Sequence, residues 1–280
     1  MSYGTSRATF NGRNKMMTEK FIDVFPLWGV LLVTLGLVLA ASELGHWLGV
    51  RRARSVAAET EGQVSALTAA HLGLLAFMMA FTFSVGADLA MKRKGLIRQE
   101  ANAIQVAYIR ADLLHEPAAE EIKQILAEYT RMRGDVFKLV QSEGMDALLI
   151  KSEAFHGSLL EQVDALTRDA DISELHGLLV EAINDVIVMH NDRVAAGVRT
   201  RIPTIIWGSL YLLLLLSMLG MGYYNGMKQK RSPVANTALA ISFSLVIVLI
   251  ADLDRPREGL MQSDQTLMKD MGRRLQASNP

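Results

Sequence analysis

The chain contains no cysteine, which excludes disulfide frameworks, thiolate metal sites and thiol nucleophiles. Aromatic residues make up only 6% of it, too few for a base-stacking surface, so nucleic acid is not an expected partner. The six histidines never fall at a helical metal-ligand spacing such as His-x-x-x-His. No Ser/His/Asp set, phosphate loop or metal-spaced carboxylate cluster occurs either. Neither enzymatic activity nor a cofactor or metal is therefore expected.

Charge is missing from four blocks. No Asp, Glu, Lys or Arg lies between Asp23 and Glu43, Glu61 and Asp88, Arg201 and Lys228, or Arg231 and Asp252. Crossing hydrocarbon takes about 20 apolar residues, and the third and fourth blocks meet that outright. The first meets it by running past Glu43 to the Arg51-Arg52 pair. A signal peptide cleaved near Ala40–Ser42 is the competing reading, but apolar character ending at a basic cluster fits a retained helix better. The second block, Leu67 to Ala87, is more mixed and still uncharged. Half of all residues are apolar and 21% are charged, which suits oily and charged blocks kept apart.

The six prolines fall at the ends of these elements. Pro26 and Pro233 open the first and fourth helices, where a missing N–H costs nothing. Pro203 precedes the third, Pro256 stops the fourth, and Pro117 opens a helix of the intervening region. The organisation expected is all-α, with four transmembrane helices in two pairs flanking an inserted helical bundle. In residue ranges this gives 1–23 disordered, 24–91 the first pair, 92–201 an extramembrane domain, 202–251 the second pair and 252–280 an amphipathic tail. Met16 and Met17 are alternative starts to Met1.

Within 92–201 the apolar residues follow helical spacing. Ile122, Ile125, Leu126, Tyr129, Met132, Val136 and Leu139 predict a helix from Pro117 to Gly144. Leu148 to Leu166 predict a second. Asp171 and Glu174 resemble a capping box before a third, which carries His190 on its apolar stripe, where a hydrogen-bonded core histidine is the expectation. Between Leu67 and Leu114 nothing but Gly73, Gly86 and Gly95 interrupts the pattern, so the second membrane helix is expected to continue for about 70 Å at 1.5 Å per residue. Leu260 to Leu275 suit an amphipathic helix on the membrane or on the bundle.

Charge in the domain is polarised. Its ends carry a basic collar of Lys92, Arg93, Lys94, Arg98, Arg199 and Arg201, whereas Ala111 to Asp192 hold six basic and seventeen acidic residues. Such a collar either pairs with lipid phosphates or concentrates anions at a pore mouth. Phe77, Phe81, Ser84 and Asp88 share one face of the second helix, as pore lining or as helix–helix packing. Glu43, the one acid inside a membrane block, either pairs with His46 at i+3 as an intramembrane ionisable pair or reaches the interface near Arg51. Gly45-x-x-x-Gly49 and Gly222-x-x-x-Gly226 permit close helix approach. Six basic residues in the two short loops favour cytoplasmic loops and an extracytoplasmic domain, while the Lys92–Lys94 run and the basic N-terminus point the other way.

Three stretches carry a resemblance: Leu74–Leu114 (LLAFMMAFTFSVGADLAMKRKGLIRQEANAIQVAYIRADLL), Asp252–Gly259 (DLDRPREG), and the two-plus-two layout of helices. Together they resemble the bestrophin-like domain family of bacterial membrane proteins. The most specific positions are Glu100 and Asn102, then Tyr108, Arg110 and Asp112, then Asp252, Asp254 and Arg255. The tail departs from the family pattern, keeping Ser263 and Leu267 but lacking a proline. The resemblance implies a bacterial inner-membrane, multi-pass protein. By analogy with pentameric bestrophins, it implies a homo-oligomeric anion channel with the lipid bilayer and ions as partners. A signalling or envelope-stress protein whose helical domain senses a ligand or partner is the other reading.

Overall fold

The computed structural model describes residues 25–52, 58–168, 174–198, 200–229, 233–255 and 265–277, and among these every regular element is an α-helix. In chain order they are α1 (Leu27–Arg52), α2 (Ala58–Asp112), α3 (Ala118–Gly134), α4 (Val136–Glu143), α5 (Met145–Arg168), α6 (Glu174–Val198), α7 (Thr204–Met227), α8 (Pro233–Asp254) and α9 (Thr266–Ala277). Four of them, α1, α2, α7 and α8, contain stretches long and apolar enough to cross a membrane. Three prolines stand where the sequence put them, Pro117 and Pro203 as N-caps of α3 and α7 and Pro233 as the first residue of α8, while Pro256 lies outside the described residues. The chain divides into two compact units, residues 1–89 with 201–261 and residues 90–200 with 262–280. The uninterrupted 55-residue α2 contributes to both. Segment 1–23 and the Asp171 capping position lie outside the described residues.

In the first unit α1 packs along α7 and against α8. Its interior is apolar, centred on Val38, Leu75, Leu210, Leu214, Met218 and Ile247. Lipid tails are as apolar as leucine, so burial alone does not hold such helices together, and close packing and interhelical hydrogen bonds must. Both are present. The two small-residue motifs face each other. A methyl group on Gly45 would strike the Leu219 carbonyl oxygen and one on Gly222 that of Ser42, while Gly49 and Gly226 meet each other's Cα. Backbone therefore lies on backbone, the geometry in which Cα–H groups contact carbonyl oxygens. Beside this crossing, Asn236 Nδ2 donates to Ser42 Oγ at 3.3 Å and Asn225 Nδ2 to Asn236 Oδ1 at 3.2 Å, linking α1, α8 and α7. Further along, Thr34 and Tyr211 share a 2.9 Å hydroxyl hydrogen bond between α1 and α7.

The second unit is a bundle of the remainder of α2 with α3–α6 and α9. Ile104, Ile122, Leu126, Leu159, Ile183 and Met268 are fully buried at its core. One helix was expected from Pro117 to Gly144, but the structure breaks it at Asp135, whose backbone leaves helical geometry (φ −99°, ψ 16°). The physical reason lies beside it. Gly134 is a poor helix former, and a Cβ there would come within 3.0 Å of Lys269 Cγ on α9. The amphipathic tail helix is thus docked on the bundle, on α3, with Met268, Gly272 and Leu275 facing inward.

Candidate functional site

In the first unit α2 has two distinct faces. Leu75, Met79, Thr82 and Gly86 recur at four- and three-residue spacing and are buried. Half a turn away, Phe77, Phe81, Ser84 and Asp88 repeat the same spacing and are exposed, with the two phenyl side chains 66% and 52% accessible. The sequence-predicted stripe is therefore an outward face of the single chain among the described residues. The other spanning helices expose large apolar side chains too, such as Trp28 and Leu32 on α1, Leu212 and Leu216 on α7, and Leu245 and Leu249 on α8. The α2 stripe carries a hydroxyl and a carboxylate beside its two rings. Glu43 is exposed on α1 and His46 half-buried.

The collar residues separate. Lys92, Lys94 and Arg98 are exposed, whereas Arg93 is buried. Arg201 is mostly covered and ion-paired with Asp254 at 3.3 Å. Arg199 lies outside the described residues. Asp254 also accepts the Ile202 backbone N–H at 2.7 Å, and Arg255 donates to the Phe25 carbonyl at 2.7 Å. Asp252 is buried. The family-motif run at the end of α8 thereby fixes the start of α1 and the entry to α7 by charge-assisted bonds, about twice as strong as neutral ones.

The other motif residues fall in the second unit. Arg110 ties α2 to α6, donating to the Leu178 carbonyl and lying 3.5 Å from Glu181. Asp112 pairs with Lys123 at 2.9 Å, and that ammonium sits over the ring of buried Tyr108. Asn102 is exposed. Glu100 is the hub. Fully buried, it accepts Arg133 Nε at 2.7 Å and Nη2 at 3.2 Å, the Tyr129 hydroxyl at 2.9 Å, and Arg193 Nη1. Arg193 extends its other arm to Gln265 Oε1 at 2.7 Å, just before α9.

Tyr129 spends its one hydrogen on Glu100, so His190 Nδ1, 3.0 Å away, must carry a proton and donate to the phenolic oxygen. His190 is thus the hydrogen-bonded core histidine expected. Burial, then the Arg133 charge, depress its pKa to about 3. The His156 ring lies edge-on to it with centroids 4.7 Å apart and is held below the usual histidine range by the same two causes. Its Nε2 has no hydrogen-bond partner. One carboxylate against two guanidiniums leaves a surplus positive charge, and neutral imidazoles keep that surplus from growing. Arg133, His156 and Gln265 escaped sequence reading because they lie on two other helices and a loop. Among the described residues no group of three His, Cys, Asp or Glu side chains is placed to hold a metal.

Comparison with known proteins agrees with this layout. The model of the bestrophin-like domain matches residues 36–265. A mutant form of a bacterial bestrophin homologue from Klebsiella pneumoniae superposes with a TM-score of 0.58 at 11% identity, covering 89% of this chain and 97% of that one. A second mutant form of that homologue gives 0.55 at 12% identity, covering 86% and 98%. A structure described only as a membrane protein gives 0.57 at 13%, covering 90% and 98%. No curated protein matches. At these identities the structures speak for the fold alone, while the domain model spans most of the sequence. The chain is a multi-pass, all-helical membrane protein and belongs to the bestrophin-like family.

Proposed function

We propose that this protein is a homo-oligomeric ion channel of the bacterial inner membrane in which α2 lines the conducting path. The observation that carries the reading is the outward stripe of Phe77, Phe81, Ser84 and Asp88, opposite a fully packed face of the same helix. Asp88 closes the uncharged block of α2, and a constriction of aromatic rings followed by polar groups at its mouth gates ions by dewetting and then rehydrates them. Closed rotational symmetry brings the same stripe of every copy to one axis. Residues 92–201 form the extramembrane domain, on the extracytoplasmic side by the loop-charge rule.

Purified protein in planar bilayers should conduct, and Phe81→Ala should enlarge the current. A monomer by mass in nanodiscs, with no current in any salt, removes the proposal. A sensing role is favoured by one feature, the unbroken α2 shared by the two units. It requires a ligand-dependent change in amide exchange along α2 and is refuted if no condition produces one.

A further inference from the structure

Helices α1 and α7 repeat one another at the end where both run into a basic loop. They lie parallel, since Gly222 meets Ser42 and His46 while Gly226 meets His46 and Val50. Matched positions are 177 residues apart, as in the Thr34–Tyr211 hydrogen bond. At that offset Pro26 matches Pro203, Gly45 matches Gly222 and Gly49 matches Gly226. Two more matches follow near the helix ends, Trp47 with Tyr224 and Arg51 with Lys228.

In each of the last two matches the cation sits on the ring. Arg51 Cζ lies 3.5 Å above the Trp47 ring centroid, and Lys228 Nζ lies 4.7 Å from that of Tyr224. Each ring stands about 200° around its helix from the glycine two positions before it, so both pairs point away from the crossing. Arg51 and Lys228 are exposed, and Trp47 lies among exposed Leu44 and Leu48. Arg51 has no ion pair among the described residues. Residues 44–58 and 202–251 carry six Lys or Arg and no Asp or Glu, and the nearest acids in sequence to Arg51 are Glu43 and Glu59.

We propose that these two cation-on-ring pairs are equivalent sites for anionic phospholipid, each holding the phosphodiester of one headgroup. An aromatic face fixes a cation in place and leaves its outer N–H groups for phosphate, which a guanidinium fork meets in two parallel bonds. Trp and Tyr settle at headgroup depth, and the apolar side chains below them offer the acyl chains a surface. That placement, at the ends of two spanning helices, favours a lipid over free phosphate. Such sites would stand whether or not α2 lines a conducting path.

The test is native mass spectrometry of the full chain in detergent with dioleoylphosphatidylglycerol or dioleoylphosphatidylcholine added. Wild type should hold one phosphatidylglycerol at each pair, about fivefold more tightly than phosphatidylcholine, as one cation near an anionic headgroup provides. Arg51→Gln and Lys228→Gln should each lose one lipid and the double variant both, while Arg51→Lys should keep both. Trp47→Leu spares the charge but should weaken the α1 site, which diffuse loop charge would not do. Lys138→Gln, at an exposed lysine of α4, should change nothing. Thermal unfolding without lipid should be the same for all of these variants, which separates lost binding from lost folding. Equal affinity for the two lipids, or a folded double variant that still holds both molecules, would overturn the assignment. So would inorganic phosphate raising the unfolding temperature as much as phosphatidylglycerol does.

Discussion

Replacing Gly222 by alanine tests the idea that the first unit is held by backbone-on-backbone packing between α1 and α7. The new methyl group would land on the Ser42 carbonyl oxygen, 2.8 Å from its carbon and 3.0 Å from the His46 nitrogen. Ordinary carbon contacts are about 3.5–4.0 Å, so the helices must separate by about 1 Å. A gap of that size forfeits roughly a quarter to a half of each affected dispersion contact. Strain and lost contact together should cost about 1–3 kcal/mol, the range for overpacking a tight interior. Gly36 supplies the control, since a methyl group there meets nothing within 4 Å. Gly36→Ala should be neutral or stabilising by up to about 1 kcal/mol through helix propensity. Thermal unfolding in detergent, read by the fluorescence of Trp28, Trp47 and Trp207, measures both. The double variant Gly45→Ala/Gly222→Ala should cost less than the sum of the singles, because the first substitution already parts the helices. Equal stability of Gly222→Ala and Gly36→Ala would refute the reasoning.

Glu100→Gln should destabilise the second unit by about 3–5 kcal/mol, the usual result of stranding a buried charge, and amide exchange in α3 and α6 should report it. The neutral folded form of His190 sets a pH dependence. Its folded pKa lies below the unfolded value near 6.5, so its contribution is complete above 6.5 and is lost as pH falls towards 3, by about 3 kcal/mol at pH 4. His190→Gln should start less stable and flatten that acid limb, and an unchanged slope would assign the limb to other groups. In the first unit, Asp254→Ala removes the acceptor of the Ile202 N–H, whereas Asp254→Asn keeps one. The alanine variant should therefore be the less stable by about 1–3 kcal/mol, measured by thermal shift in detergent.

The spanning helices were legible because their signal is local, a run without charge bounded by Pro26, Pro203 or Pro233. The α2 stripe was legible for the same reason, since heptad spacing fixes a shared face whatever the surroundings. Partner choice was not. The Gly45 and Gly222 motifs each announce that something comes close, but only the folded pairing shows that they approach each other. Glu100 stood out as a motif residue without a role, because its arginines lie 33 and 93 residues further along the chain. The break at Asp135 was hidden too, since the α9 backbone that presses on Gly134 arrives from the last segment of the sequence.

That last segment sets an order of assembly. Residues 262–280 belong to the unit begun at residue 90, and they supply Met268 to its core and Gln265 to Arg193. A ribosome must therefore deliver α7 and α8 before the bundle receives its closing piece. Until then Arg193 lacks one partner and the α3 surface beneath Met268 and Leu275 stays open to water. Chains that lack α9 should be recognisable to proteases there.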